Sequence, residues 1–246
     1  MSIVLVTGGT GTFGRALVPV LASRGHEVRV LSRRPGAGTH TGDLASGEGL
    51  AEAAAGAELV VHAATDRRLG RSDPRQTRNL LAAASGCRHL LYVSIVGVDA
   101  IPFSYYKAKL GCEELIAGSP VPSTTLRATQ FHELIAMILQ AVGGWPITPL
   151  PLDLVFQSVA AAEVAERAAD LLDGPPLGRA PDFGGPEVLT GWQLAAAWRA
   201  QHGRPRKVLN VRLPVHAYRA FAEGLNTCPD HADGRQTWAE FVQGER

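Results

Sequence analysis

Cysteine is scarce in this 246-residue chain, with residues only at positions 87, 112 and 228. An odd number, with no CxxC pair and no metal-type spacing, argues against a disulfide framework or a zinc site; the three read as free thiols in a reducing compartment, and no metal is expected. An excess of one charge is missing too. The 24 Lys and Arg nearly cancel the 23 Asp and Glu, leaving a formal net charge of +1. Nucleic acid is therefore not expected as a partner, because phosphate-backbone binding calls for a marked cationic excess or a long basic stripe. The short run Arg204, Arg206, Lys207 reads as a solvated linker. No apolar run approaches the ~20 residues of a membrane span. The run Ile3 to Val6 begins without the cationic stretch that precedes the apolar part of a signal peptide. A soluble, cytoplasmic protein with no membrane partner is the expectation. The Gly-x-Ser-x-Gly of a hydrolase nucleophile elbow is also missing.

Apolar residues make up 46% of the chain and charged ones 19%, an ordinary globular balance. Short β-branched runs alternate with Ala- and Leu-rich stretches of helical period, the pattern of βαβ units feeding a parallel sheet. Strands are predicted at Ile3 to Val6, Glu27 to Leu31, Glu58 to His62, His89 to Ser94 and Ser123 to Arg127. Helices are predicted at Gly14 to Ser23, Gly49 to Ala55, Arg75 to Ser85, Tyr105 to about Ala117 behind a Ser104 N-cap, and Phe131 to Val142. Around Gly143 the texture turns to "GGWPITPLPLD". Residues 1–143 are thus expected to form a Rossmann-type, doubly wound α/β core. A smaller, less regular α/β part, 144–246, would close over a small-molecule site as one compact unit with that core. Helices are expected there at Ala160 to Leu172, Gly191 to Gln201 and Gln236 to Val242.

"VTGGTGTFGRALVPVLASRGHEVRVLSRRP", residues 6–35, holds glycines at 8, 11 and 14 between the first strand and the first helix. That placement suits a pyrophosphate facing helix N-terminal amides: Gly8 for the tight turn, Gly11 for close approach of the diphosphate, Gly14 for packing of helix on sheet. An acidic residue after the second strand usually holds a free ribose 2′-hydroxyl. That slot reads Leu31-Ser32-Arg33-Arg34, with no acid. Two guanidiniums can grip a 2′-phosphate through charge-assisted hydrogen bonds, which favours NADP(H) over NAD(H). Thr12 can add a hydroxyl to the same phosphate.

The spacing is GxxGxxG, in the form Thr7-Gly8-Gly9-Thr10-Gly11-Thr12-Phe13-Gly14. With "GDL" at 42–44, "VVHAAT" at 60–65, "YVSIVGVD" at 92–99, "YYKAK" at 105–109 and "LRATQF" at 126–131, the chain resembles the extended and atypical short-chain dehydrogenase/reductases, and within them the NmrA-like NAD(P)-binding proteins. The resemblance covers nearly the whole chain. It implies cofactor contacts at Gly8, Thr10, Gly11, Thr12, Phe13, Gly14, Ser32, Arg33 and Arg34. It further places Asp43 and Leu44 beside the adenine, and Ala63, Ala64 and Thr65 beneath the cofactor.

Tyr105 and Lys109 are four apart on a predicted helix and so share a face. A phenol titrates near pH 10 in water, and a neighbouring ammonium favours the phenolate, so proton exchange with a carbonyl or alcohol becomes feasible near neutrality. Tyr105 is the candidate acid, with Tyr106 an equally aromatic neighbour. Lys109 is its pKa modifier and, by resemblance, a ligand of the nicotinamide ribose. Ser94, at a strand end, would orient the substrate oxygen. Ser94 and Tyr105 lie 11 positions apart, closer than in most extended members. His62 reads as a satisfied core histidine, and Phe131 and His132 line a substrate pocket or simply pack. The expected reaction is NADPH-dependent reduction of a carbonyl, quinone or conjugated double bond, or its reverse. The alternative is a redox sensor that binds NADP(H) without turnover, and sugar-nucleotide epimerisation is disfavoured by the small C-terminal part. The oligomeric state, monomer or homodimer, stays open.

Overall fold

A computed structural model of the protein describes residues 1–36, 38–66, 68–142, 147–202 and 207–244. The glycine-rich start of the crossing expected at 143 lies outside them, as do Arg204 and Arg206. The strands are β1 (Ile3–Thr7), β2 (Glu27–Ser32), β3 (Thr39–Thr41), β4 (Leu59–His62), β5 (His89–Ile95), β6 (Ser123–Ala128), β7 (Ile147–Leu150), β8 (Val155–Phe156), β9 (Gly178–Arg179), β10 (Leu189–Thr190) and β11 (Lys207–Asn210). The helices are α1 (Thr12–Ser23), α2 (Leu50–Ala54), α3 (Asp73–Ala83), α4 (Ser104–Ala117), α5 (His132–Val142), α6 (Ala161–Asp173), α7 (Gly191–His202), α8 (His216–Ala222) and α9 (Trp238–Gly244). No helix among the described residues is long and apolar enough to cross a membrane.

Seven strands form one sheet in the order β3-β2-β1-β4-β5-β6-β9, so the Rossmann-type α/β fold expected from the sequence is the fold observed. Pairing is parallel, with β1 running beside β2 from Ile3↔Glu27 to Thr7↔Leu31 and beside β4 from Val4↔Leu59 to Thr7↔His62. The central strands read as near-continuous apolar runs because a parallel sheet is covered on both faces. Leu5, Val60, Leu90 and Tyr92 meet Leu80 of α3 and Cys112 of α4 in a fully buried cluster. α1 turns Phe13, Leu17 and Leu21 inward at helical spacing.

The chain divides into two compact units that do not follow a cut at 143. The first holds Met1–Ser94, Ser104–Arg127 and Val164–Pro181; the second holds Ile95–Phe103, Ala128–Glu163 and Asp182–Arg246. The reason lies in late strand and helix pairings. β9 adds to β6 through Thr124↔Gly178 and Thr125↔Arg179, and the imidazole of His89 lies 3.2 Å from the carbonyl of Leu172 on α6. In the second unit β10 pairs antiparallel with β8 and β11 pairs parallel with β7. Its core gathers Ile135, Leu139, Leu152, Leu194, Trp238 and Val242, and the Trp238 indole donates to the carbonyl of Leu194 at 3.0 Å. β3, β7, β8, β9, β10 and β11 were not foreseen, because two to four residues are too few for an alternation to register. Three helix starts also move by two residues, with α9 beginning at Trp238 instead of Gln236. α1 begins at Thr12, two residues early, behind Gly11 in extended conformation, and α3 begins at Asp73 with Pro74 in its first turn.

Candidate functional site

The strand order reverses between β1 and β4, and in open α/β sheets ligands bind outside the carboxyl ends of strands at such a point. Two segments leave the sheet there, residues 8–11 after β1 and 63–65 after β4. Gly8 has φ +73°, and a Cβ on it would stand 2.7 Å from the Ala63 carbonyl carbon and oxygen and from the Ala64 nitrogen. A Cβ on Gly14 would reach 2.3 Å from the Gly8 oxygen and 2.4 Å from the Gly9 Cα. Gly11 differs, since the one atom near its Cβ would be the Gly8 oxygen at 3.3 Å. Gly8 and Gly14 therefore serve backbone packing, and Gly11 presents an open face. Gly9, to which the motif assigns no role, lies against the Val30 side chain, 2.7 Å from a built Cβ. No side chain caps α1, and its first turn carries no acidic residue. Its leading amides keep the partial positive charge that suits a diphosphate. Thr10, Gly11 and Thr12 are exposed while Phe13 is buried, so the loop shows solvent its backbone and two hydroxyls.

At the end of β2, the half-buried Ser32 accepts from the Arg34 amide at 3.1 Å. Arg33 and Arg34 are exposed. Neither guanidinium has a carboxylate partner among the described residues, whereas Arg24, Arg29, Arg88, Arg127 and Arg212 each do. Asp43 spends one oxygen on the Ala45 amide, 2.8 Å away, closing a local turn with the other oxygen left over. Leu44 is buried in the sheet core, and its carbonyl accepts from Asn79 of α3 at 2.8 Å. Asn79 thus holds this loop, a role with no signal in the sequence.

Past β4, the Ala63 amide donates to the Thr7 carbonyl at 3.2 Å. Thr65 donates its hydroxyl to Asp73 at 2.6 Å, and the Asp66 amide donates to the same carboxylate at 2.7 Å. Asp73 is only 2% exposed and ties the segment leaving β4 to the start of α3; sequence reasoning did not pick it out. His62 is 1% exposed, with Nδ1 2.8 Å from the Thr7 hydroxyl and Nε2 3.0 Å from that of Thr77. Burial, with the Lys109 ammonium adding to it, pushes its pKa down to about 3, so the ring is neutral.

Lys109 is 4% exposed, donates to the Val93 carbonyl at 3.4 Å and stands 5.0 Å from the centroid of the Tyr92 ring. Next to Val93, the Ser94 hydroxyl is buried with no hydrogen-bond partner among the described residues. One turn before Lys109 on α4, Tyr105 is half-buried, with Asp73 and Tyr105 both lying close to Gly70, 3.0 and 3.1 Å from a Cβ built there. Tyr106 is 4% exposed and its ring centroid is 6.3 Å from that of Tyr105. Of the two phenols, Tyr105 is the more accessible. The three cysteines are free and buried. Burial raises each thiol, that of Cys228 to about 12, which leaves them poor nucleophiles.

In the second unit, Phe131 bridges to Val159 in parallel. Both ring nitrogens of His132 are engaged, Nδ1 with Ser158 at 2.9 Å and Nε2 with the Gln236 carbonyl at 3.0 Å. The ring packs on Trp238 and Phe241, and burial lowers its pKa. These contacts are those of a packing residue.

Comparison with known proteins matches this geometry. The chain fits the NAD(P)H-binding family over residues 8–175. Among curated relatives, a 3-beta-hydroxysteroid dehydrogenase of Mycolicibacterium neoaurum is 44% identical over 68 residues, 25% of this chain and 19% of the relative. An epimerase family protein of Homo sapiens is 48% identical over 57 residues, 23% and 20% of the two chains. Each match spans about a fifth of the relative's length. Solved structures with the same fold include an NADPH-dependent quinone oxidoreductase of Escherichia coli complexed with NADPH (TM-score 0.82, 20% identity, 97% of this chain and 98% of that one). A nucleoside-diphosphate-sugar epimerase of Staphylococcus aureus follows at TM-score 0.81 (18% identity, 99% and 100%), and a triphenylmethane reductase of Citrobacter sp. complexed with NADP(H) at 0.80 (19%, 98% and 99%). A family pattern that begins at the first glycine of the turn and runs on into the sheet's last crossover shows that the chain belongs to the NAD(P)H-binding family.

Proposed function

We propose that this protein is an NADP(H)-dependent reductase of the atypical, NmrA-like short-chain type, acting on a carbonyl, quinone or conjugated double bond of a small molecule. The observation that carries this reading is the buried Lys109 on the carbonyl of Val93, the residue before Ser94, whose buried hydroxyl has no partner among the described residues, with Tyr105 one turn away on α4. A bound reduced nicotinamide would supply the two electrons and a hydrogen to the substrate carbon. Tyr105 gives the proton that the substrate oxygen needs. The Lys109 ammonium favours the resulting phenolate and offers donors to a ribose hydroxyl. Ser94 holds the substrate oxygen. The amides of α1 and the open face of Gly11 hold the diphosphate, while Arg33 and Arg34 hold the 2′-phosphate.

The names of the Escherichia coli and Citrobacter structures, both NADP(H) complexes, support the same chemistry. The Staphylococcus aureus structure, named an epimerase, is matched over its whole length, so a small C-terminal part does not weigh against that activity. Single-turnover oxidation of NADPH across quinones and aldehydes, run beside a nucleotide-sugar epimerisation assay, decides between them. The expected result is oxidation by at least one acceptor. Tyr105→Phe should slow it by about 10²- to 10⁴-fold with NADPH affinity unchanged. Tight NADPH binding without turnover would make the protein a sensor. Sugar interconversion without net oxidation would make it an epimerase.

A further inference from the structure

His62 sits where two strands end together. It closes β4, Thr7 closes β1, and the two residues are direct neighbours in the parallel register. Both are essentially inaccessible. Side chains at paired positions project to the same face of the sheet, and here they meet, His62 Nδ1 lying 2.8 Å from Thr7 Oγ1. The opposite nitrogen, Nε2, lies 3.0 Å from Thr77 Oγ1 on α3. Thr7 Oγ1 also accepts from the Ala64 amide at 3.4 Å.

We infer that His62 is a positioning residue for the dinucleotide turn: its Nδ1 clamps the Thr7 hydroxyl and so sets the gap between Gly8 and the Ala63–Ala64 backbone, while the Nε2 contact with Thr77 of α3 only seats the ring. The inference rests on that crevice taking a nicotinamide dinucleotide. The clamp assigns a direction to these bonds. Thr7 Oγ1 accepts from the Ala64 amide, and its single proton is assigned to His62 Nδ1. That leaves Nε2 to carry the ring's hydrogen and donate to Thr77. The groups facing the ring agree with a neutral imidazole. The Lys109 ammonium approaches from α4, the Tyr92 ring lies 5.4 Å away on β5, and the Asp73 carboxylate of α3 is engaged by Thr65 and Asp66. The gap has no slack, because a Cβ on Gly8 would already stand 2.7 Å from three backbone atoms of Ala63 and Ala64. A displacement of Ala64 is therefore passed to the glycine turn, and the turn is where a diphosphate would bind.

Two substitutions divide the clamp. His62→Asn places an amide oxygen near the former Nδ1, keeping an acceptor for Thr7 and losing Thr77. His62→Gln reaches the Nε2 position and keeps only the Thr77 side. Calorimetric titration with NADPH is expected to give affinity within about threefold of wild type for His62→Asn and at least about tenfold weaker than wild type for His62→Gln, a loss of about 1.4 kcal/mol, at similar thermal midpoints. Thr7→Val should match His62→Gln, and the double variant should lose no more than either alone. Equal losses for the two His62 variants, or losses that follow thermal stability, overturn the clamp. The 15N signature of the wild-type ring tests it without any variant. A neutral ring protonated on Nε2 from pH 5 to 8 is expected, and a charged ring or one protonated on Nδ1 overturns it. Wild-type protein that binds neither NADPH nor NADH overturns the reading of the crevice and the clamp with it; wild-type binding with equal losses in the variants overturns the clamp alone.

Discussion

Gly14 in the first unit and Gly185 in the second meet the same steric demand with different consequences. A Cβ on Gly185 would fall 1.7 Å from the Ser158 carbonyl oxygen, and one on Gly14 would fall 2.3 Å from that of Gly8. Around Gly185 the backbone is knitted into its neighbours: the Gly184 amide donates to the His231 carbonyl, the Gly234 amide donates to that of Gly184, and the Gln157 amide group donates to the Gly185 carbonyl. Around Gly14 the loop opens, with Gly11 free on one side and the first-turn amides of α1 uncapped. The buried histidines differ in a similar way. His132 is held by Ser158 and Gln236 among aromatic rings, whereas His62 binds two threonines at the root of the glycine turn. Close packing in the second unit is tied off by hydrogen bonds; in the first it leaves backbone open to solvent. The same residue type thus carries different meaning according to whether the neighbouring backbone groups are already satisfied.

The largest expected effect is on stability in the second unit. Gly185→Ala forces backbone apart and should cost about 3 kcal/mol or more, read as a lowered urea midpoint. Gly11→Ala should stay within about 1 kcal/mol of wild type in stability while weakening NADPH binding about tenfold. Equal stability losses would erase the contrast. Next comes Arg33→Ala with Arg34→Ala: charge-assisted contacts contribute about 1.5 to 3 kcal/mol each, so NADPH should bind at least about tenfold more weakly and NADH almost unchanged. Parallel losses for both dinucleotides would remove the 2′-phosphate assignment.

Acid probes the histidines. His62 titrates near 3 when folded against an ordinary 6.5. Below about pH 6.5 the unfolded chain takes up a proton that the folded protein refuses. The stability this contributes is whole above that pH and is lost as pH falls toward 3, by about 1.4 kcal/mol per pH unit within the window. His132 shifts in the same direction. Urea unfolding from pH 7 to 4 should therefore show a shallower pH dependence for His62→Gln than for wild type, and identical slopes would mean that the buried ring accepts a proton. The smallest effect belongs to Arg24, which reaches Glu166 at 2.9 Å, Asp170 at 2.8 Å and Asp173 at 3.2 Å with partly exposed partners. Arg24→Ala should cost less than about 1 kcal/mol, and less still in high salt.

Short-range rules were enough to read the first half of the candidate site. The strand, glycine turn and helix of residues 3–23, the acid-free end of β2 and the four-residue spacing of Tyr105 and Lys109 depend on backbone geometry over a few residues, which is written in residue order. Those rules also foretold the parallel sheet, since alternating strand and helix runs leave few topologies. They did not reach the short strands of the second unit, nor the return of residues 164–181 to the sheet unit. Only the folded chain sets Lys109 against Val93, buries the Ser94 hydroxyl with no partner among the described residues, and engages Asp73 with Thr65 and Asp66. His62 illustrates the divide. Its burial was readable from an apolar strand, but its partners stand 55 and 15 residues away. Contacts at such separations are chosen by packing of whole elements, whose outcome no local pattern encodes.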